Sequence, residues 1–511
     1  MDQKRIVAVV INSVSHDARV LKEADSLARA GYEVAIYGIQ DNRCSEPKSV
    51  RETGVVIHRC EWKHESHLIV SRLFLAGGFV AAAIALGLYV LLFDRIAAVV
   101  MSPPVAALMF GAAVVIILLI PFLYQYRKHR IIAARLRPER PGPVREPRRP
   151  GVIGWLPNKM IEKVKNRVFQ MVRKRQIITL MREFSPHAVH CHDLSTVPIG
   201  HAYARRSGCK VVFDSHELFE EQSLATPLQK RIYRQRQRRY SGRVDAFVTI
   251  NQSIADYLKK RYPRLPDPVL VKNGALPLEE PVEYDGRLHE AASLPRERRI
   301  LLYQGGFALR RGLDALVRSC VLLPDSWCLV MMGWGAFEPD LRRIAGEIDP
   351  RGDSIRFIPA APQPELAWWT AGGSLGVIPY ENVCLNHWLC SPNKLWEYPI
   401  AGVPILASPF PELRTTIEQW DIGLLLPDPA TPESIAQAVA SVTDERLAEM
   451  KRNCLRYIEQ DNWTVYEDRL VALYDRLLAR TRPEQEADPI INAGKAAAAM
   501  ASGSTLGDRS D

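Results

Sequence analysis

At 511 residues the chain is too long for one ordinary core, and with 47% hydrophobic and 24% charged side chains it is no disordered polymer, so two or three folded units are expected. Its formal charge of +10 gathers around residues 127–175 and over 229–243 (Lys230, Arg231, Arg234, Arg236, Arg238, Arg239), which suits an anionic membrane surface, a polyanionic substrate or a solvated helix face. The nine cysteines are odd in number and hold no Cys-x-x-Cys pair, which argues against a complete disulfide framework and a zinc site and fits a reducing compartment.

The chain opens on a short charged stretch and an apolar strand, Arg5–Ile11, unlike a signal peptide. Asp17–Ala30 carries Val20, Ala24 and Leu27 at helical spacing, Gly31 closes that helix, and Tyr32–Ile39 reads as the next strand. Two uncharged stretches follow, 73–93 and 96–123. A helix of 21 residues rises about 31 Å, enough for a bilayer core. Pro103-Pro104 supplies a turn, and Arg72 before the pair and Arg127, Lys128, Arg130, Arg135 and Arg137 after it place both flanks on the cytoplasmic side. A fully crossing hairpin and a re-entrant one both remain open. Residues 138–150 read as an extended Pro/Arg linker. Residues 158–182 form a basic amphipathic helix with Met160, Ile161, Val164, Val168, Met171 and Val172 on its apolar side, able to lie among headgroups or to pack on its own domain.

Strands then resume at Ala188–His192, Lys210–Asp214 and Ala246–Ile250. A second series comprises Ile300–Gly305, Cys328–Gly333, Ile355–Ala360, Leu375–Tyr380, Pro404–Ser408 and Gly423–Pro427, joined by helices Leu313–Leu323, Glu338–Ile348, Pro392–Ala401 and Pro432–Ser441. Strict alternation implies parallel sheets covered on both faces. The fold class is therefore α/β, with two Rossmann-like doubly wound domains and a helical membrane hairpin inserted in the first. The expected partition is 1–65 with 151–275, the hairpin 66–126, a linker 127–150, a second domain 276–460, a helix 461–482 returning to the first domain, and a disordered tail 483–511. Ligands of such sheets bind at the carboxyl ends of the strands, in the cleft between the two.

Three segments carry candidate chemistry. In SPNKLWEYPIAGVPILAS (391–408), Ser391 suits a helix cap, Pro392 a first turn and Gly402 a helix end. The helix start with Lys394 offers an anion site, and Glu397 stands one turn on, where a carboxylate can accept from ribose hydroxyls. In YQGGFALRRGLDAL (303–316), Gly305 and Gly306 permit close backbone approach and Arg311 opens a helix facing the same cleft. In VVFDSHELFEE (211–221), Ser215-His216-Glu217 lies at a strand's carboxyl end. Each segment alone also fits an ordinary capped helix, glycine turn or structural histidine.

Taken in order, NSVSHDARVLKEADSLARAGYEV (12–34), HCHDLSTVPIG (190–200), FDSHELFEE, VKNGA (271–275), Arg311-Gly312 and SPNKLWEYPIAGVPI resemble the landmarks of glycosyltransferase family 4, retaining enzymes of the GT-B fold, in a bacterial branch. The resemblance implies that His216 lines a donor-sugar pocket and that Glu397 binds the ribose. Arg311 and the stretch Pro392–Lys394 would hold the diphosphate, with Gly305, Gly306, Asn273, Ser391 and Asn393 beside them. Asn12, Ser13, Asp193 and Glu217 would face the acceptor. It implies front-face displacement with retention, the diphosphate serving as base, and neither metal nor cofactor, the nucleotide-sugar being a substrate. Expected partners are that donor, a lipid-linked or glycan acceptor and an anionic membrane surface at the cytoplasmic face, with no nucleic acid. The chain departs from the family's pattern at Leu389, where a second Glu is usual, at Gly306, where an Arg is usual, and in the first loop, Asn12-Ser13-Val14-Ser15, which is not glycine-rich. A nucleotide-sugar 2-epimerase of the same fold and a catalytically degenerate membrane scaffold are the alternatives.

Overall fold

The computed structural model describes residues 3–15, 17–41, 44–99, 119, 122–132, 158–278, 280 and 282–479. The expected linker 138–150, the tail and most of the second uncharged stretch lie outside them.

The first sheet contains β1 (Arg5–Val9), β2 (Glu33–Ile39), β3 (Lys48–Val50), β4 (Val56–Cys60), β5 (Ala188–His192), β6 (Lys210–Ser215), β7 (Ala246–Thr249) and β8 (Pro268–Leu270). Their order is β3-β4-β2-β1-β5-β6-β7-β8, and every pairing is parallel except β3 with β4. The second sheet contains β9 (Arg299–Gly306), β10 (Trp327–Trp334), β11 (Ile355–Ile358), β12 (Leu375–Ile378), β13 (Ile405–Ala407) and β14 (Gly423–Leu425), all parallel, in the order β11-β10-β9-β12-β13-β14. The period of two along each strand divides its side chains between two cores. Val7 and Val9 enter one layer of the first domain, and Ile6, Ala8 and Val10 enter the other. In β9, Leu301 and Tyr303 are separated from Ile300 and Leu302 in the same way.

The last helix, Trp463–Leu477, belongs to the first domain although it follows the second in sequence. Trp463, Tyr466, Leu470, Val471 and Tyr474 complete the layer that holds Val20 and Leu27. Burying a side chain such as Leu470 stabilises by roughly 1.5–3 kcal/mol. Trp463 Nε1 also donates to Ser26 Oγ at 2.9 Å. The chain thus crosses between domains twice, and the crossings touch: Trp463 N–H donates to the Ala275 carbonyl at 2.8 Å. A Cβ on Gly274 would lie 2.8 Å from Trp463 N, so no larger residue fits that passage.

Helix Lys63–Val99 leaves the first sheet after β4, and its segment Lys63–Ile84 is long and apolar enough to cross a membrane by length and composition. Its 37 residues extend about 55 Å. Residues 122–132 are helical and run antiparallel beside it. His67 Nδ1 lies 3.0 Å from His129 Nδ1, and a Cβ on Gly78 would lie 2.9 Å from Phe122 Cβ. The amphipathic helix extends over Asn158–Phe184 and packs on its own domain. Val168 and Val172 are buried with Val70, and Ile177 and Met181 enter the sheet core. Val164 and Met171, expected on its apolar side, are exposed instead. A 27-residue helix bridging two partners changes its buried face along its length, so one apolar stripe does not describe it.

Candidate active site

The carboxyl ends of both sheets face one cleft of about 1300 Å³. Of the thirteen expected site residues all but Asp193 line it: Asn12, Ser13, His216, Glu217, Asn273, Gly305, Gly306, Arg311, Ser391, Asn393, Lys394 and Glu397.

On the second domain, the penultimate residue of β9 is Gly305, whose φ is +112° and whose missing Cβ would stand 3.1 Å from Lys394 Nζ. The glycine is what lets the ammonium approach the strand end. Arg311 follows in a tight turn in which a Cβ on Gly312 would fall 1.9 Å from the Pro379 carbonyl oxygen. That close approach brings the guanidinium onto the end of β12, where its Nη1 donates to the Tyr380 hydroxyl at 2.6 Å. Lys394 Nζ stands 5.1 Å from the Tyr303 ring centroid and 5.8 Å from that of Tyr380, and Arg311 Cζ stands 5.0 Å from the latter. Two cations thus converge on one buried phenol, which burial keeps protonated by pushing its pKa up to about 12. Such a pair can hold a diphosphate. Glu397 Oε2 accepts from Gln304 Nε2 at 3.1 Å, and Gln304 Oε1 accepts from Thr370 at 2.7 Å, so the carboxylate is oriented before any ligand arrives. No Cβ contact within 4 Å surrounds Gly306, which stands beside Trp334 in the β9–β10 register.

Ser391 is not the helix cap. The helix starts at Lys394 with Asn393 in the N-cap position and without a side-chain capping bond, because Pro392 and Asn393 form a preceding turn. Ser391 is buried and offers its carbonyl to Asn273 Nδ2 at 3.1 Å, while Asn393 is exposed at the rim.

On the first domain, His216 is fixed by a carboxylate: its Nε2 donates to Asp214 Oδ2 at 2.7 Å. Asp193 stands behind it, its Oδ1 3.8 Å from His216 Nδ1, rather than in the cleft wall. Burial lowers the His216 pKa, but Asp214 and then Asp193 outweigh that and raise it to about 9. The folded state therefore holds this proton more tightly than the unfolded chain, whose histidine titrates near 6.5. The stability so gained is complete below pH 6.5 and is lost as pH rises through 9. Urea unfolding across that window should show stability falling in the native chain and a flatter profile in His216→Gln; parallel profiles would refute the assignment.

Arg19, which sequence reasoning passed over, organises this side. Its Nη2 is 3.2 Å from both Asp214 oxygens and 2.9 Å from Glu23 Oε1, its Nη1 donates to the Val271 carbonyl at 2.7 Å and to Asn273 Oδ1 at 3.1 Å, and its Nε lies 3.0 Å from His216 Nε2. The available signal was an i,i+4 pair of opposite charge, Arg19 and Glu23, on the helix side that also carries Val20, Ala24 and Leu27. Sequence spacing also indicated no metal-ligand cluster, yet folding brings ligand atoms of Glu23, His190, His192 and Asp214 within 4.8 Å of one another, all buried. The Arg19 guanidinium already pairs with both of those carboxylates, so this cluster has its cation.

The departure at Leu389 has a structural counterpart. Its side chain is buried in the first domain's core with Ile250 and Ile254, and its carbonyl accepts from Asn251 Nδ2 at 2.8 Å. Asn386 Oδ1 accepts from the Leu218 N–H at 2.6 Å, two residues beyond His216. A carboxylate at 389 would be buried among apolar groups; here the position joins the domains instead.

Residues 111–275 match the family model Glycosyltransferase Family 4, and residues 298–445 match Glycosyl transferases group 1. Among known proteins the chain is similar to a D-inositol 3-phosphate glycosyltransferase of Thermobispora bispora, 27% identical over 37% of this chain and 45% of that protein. It is also similar to D-inositol 3-phosphate glycosyltransferase 1 of Catenulispora acidiphila, 24% identical over 56% of this chain and 71% of that protein. The chain thus spans less than half the length of the first of these relatives. In fold it resembles sucrose-phosphate synthase of Thermosynechococcus elongatus, with a TM-score of 0.63 and 14% identity, covering 94% of this chain and all of that one. It likewise resembles Anabaena Alr3699/HepE in complex with UDP and glucose, with a TM-score of 0.57 and 9% identity, covering 93% and 100%. The chain therefore carries glycosyltransferase family 4 and group 1 domains on a two-domain, GT-B-like α/β fold.

Proposed function

We propose that this chain is a membrane-attached, retaining glycosyltransferase. It moves a sugar from a nucleotide-sugar to a lipid-linked glycan acceptor in surface or exported polysaccharide synthesis, with its catalytic domains in the cytoplasm. The observation that carries the reading is the convergence of Arg311 and Lys394 on one side of a cleft whose other side presents His216. One solved protein of this fold, Anabaena Alr3699/HepE, was captured with UDP, with UDP-glucose, and with UDP and glucose, which supports a nucleotide-sugar donor.

In this reading the diphosphate lies between Arg311 and Lys394, the ribose hydroxyls reach Glu397, and the donor sugar extends towards His216. The acceptor enters past Asn12, Ser13 and Glu217. As the anomeric C–O bond to phosphate breaks, negative charge grows on the leaving diphosphate and the two cations offset it. The departing phosphate oxygen takes the acceptor proton on the same face of the sugar, which retains the anomeric configuration. His216, kept protonated by the neighbouring Asp214 and Asp193 carboxylates, offers hydrogen bonds to the sugar rather than acting as a general base. The residues themselves complete this scheme without metal or cofactor.

Membranes containing the chain, incubated with a panel of labelled nucleotide-sugars, should transfer label to lipid with the donor's anomeric configuration. Absence of transfer from every donor would leave the scaffold, and free-sugar isomerisation the epimerase. Glu397→Ala should weaken donor binding by about 1.5–3 kcal/mol, the worth of hydrogen bonds to a charged acceptor, with the fold intact. Calorimetry of donor binding reads this directly, and unchanged affinity would remove Glu397 from the site.

The membrane part rests on helix Lys63–Ile84 and on the basic residues flanking the uncharged stretches. Cysteines introduced near Pro103 should react with an impermeant reagent from outside the cytoplasmic membrane, whereas cysteines replacing Ser66 and Arg130 should not. Protection at all three positions would make the hairpin re-entrant.

A further inference from the structure

One face of the first sheet is covered by four helices, Asn158–Phe184, Val197–Ser207, Pro227–Tyr240 and Gln252–Arg261, which send Ile177, Tyr203, Tyr233 and Leu258 into a common core. The first of them adjoins helix Lys63–Val99 through Val168, Val172 and Val70. Around His201 their outer surface is basic. His201, edge-on to Tyr240 at 5.3 Å, has its pKa lowered by burial and then by Arg243, Arg205, Arg239 and Lys174, so three of these helices and the turn after Tyr240 place cations around one ring.

Helix Pro227–Tyr240 is the unusual member. Its inward side holds Tyr233, Gln237 and Tyr240, and its outward side carries Arg231, Arg238 and Arg239, all exposed. Leu224, just before the helix, is 89% exposed, and Leu228 and Ile232 follow at steps of four with 56% and 42% exposure. Arg261 and Lys210 nearby pair with Glu220 and Asp245, but among the described residues no ion pair joins Arg231, Arg238 or Arg239 to a carboxylate. An apolar ridge set among unneutralised arginines is poorly suited to water and well suited to the boundary between phosphate headgroups and acyl chains, where arginine stems lie along the apolar layer with their charges in the headgroups.

We propose that the outer face of helix Pro227–Tyr240 docks on anionic phospholipid, with Leu224, Leu228 and Ile232 inserting and Arg231, Arg238 and Arg239 pairing with headgroup phosphates. This is a membrane contact in addition to helix Lys63–Val99, and it rests on the membrane attachment proposed above. It bears on the reaction because this helix follows His216 and Glu217 through the turn Phe219–Glu221, so docking holds the first domain's wall of the cleft close to the bilayer, where a lipid-linked acceptor emerges.

The full chain tests this, with Leu228→Cys carrying an environment-sensitive fluorophore and the half-buried Cys44, Cys209, Cys384 and Cys390 changed to serine. Emission should shift to the blue on vesicles of phosphatidylcholine mixed with phosphatidylglycerol. The shift should disappear on phosphatidylcholine alone and in the triple variant Arg231→Glu, Arg238→Glu, Arg239→Glu. These side chains are exposed, and circular dichroism verifies that the variant folds. Flotation with phosphatidylcholine vesicles but no shift on the mixed ones would overturn the docking face and leave the membrane helix standing. A shift on mixed vesicles without flotation on phosphatidylcholine would support the face and remove the membrane helix. A shift on soluble polyglutamate with none on any vesicle would overturn lipid as the partner.

Discussion

Arg311→Ala is expected to lower turnover about 10²–10³-fold while changing the donor KM far less, the effect of removing one preorganised group that stabilises transition-state charge. The guanidinium is already placed before substrate arrives: the Gly312 turn lays it on the end of β12 and Tyr380 holds its Nη1 at 2.6 Å. It therefore needs little reorganisation as the leaving diphosphate gains charge. Lys394 is the other cation at this position, and Gly306 contributes none, so the deficit has little to compensate it. Steady-state kinetics with the identified donor would separate the two parameters. A variant with normal turnover and weaker donor binding would make Arg311 a ground-state ligand only, and one with both constants unchanged would place it outside the reaction.

Arg19→Ala is expected to cost about 3–5 kcal/mol of stability, the penalty for breaking a buried ion pair by removing one partner. Arg19 and Asp214 are respectively 8% and 0% exposed, and Glu23 at 2% pairs with the same guanidinium. The substitution strands both carboxylates in the core and also frees the Val271 carbonyl and the side chain of Asn273, which connects the two domains. Denaturant unfolding reads the loss. The double variant Arg19→Ala, Asp214→Ala should be less destabilised than the sum of the single ones, because the second change removes a charge the first left unpaired. Additive losses would mean that the pair does not interact.

Much of the second domain's anion site was legible in the sequence. Gly305, Arg311 and Lys394 announce themselves through local chemistry: glycine at a strand end, and basic residues where helices begin at a cleft. That Arg311 and Lys394 converge was expected from the family resemblance; that Tyr380 is the group they share was not legible, since it depends on β9 and β12 being neighbours in the sheet. Ser391 misled because a serine before proline reads as a cap wherever a helix follows, and only the turn at Pro392–Asn393 shows where the helix begins. Strands β3, β4 and β8 escaped notice: β3 and β8 are three-residue edge strands with few buried positions, too short for a period of two to register, and β4 carries His58 and Arg59 within its apolar run.

The sequence by itself determined the alternation of strands and helices, the uncharged stretches that interrupt it and the basic surfaces, because each of these is written in the periodicity or composition of contiguous residues. The tertiary structure alone decided what lies across long separations. It set Arg19 against Asp214 and His216, and placed Glu23 with His190 and His192. It also made Leu389 an anchor between the domains. Pattern along the chain reports the solvent preference of each side chain, whereas the pairing of buried charges and the choice of partner are fixed by which strand ends the sheet order makes adjacent.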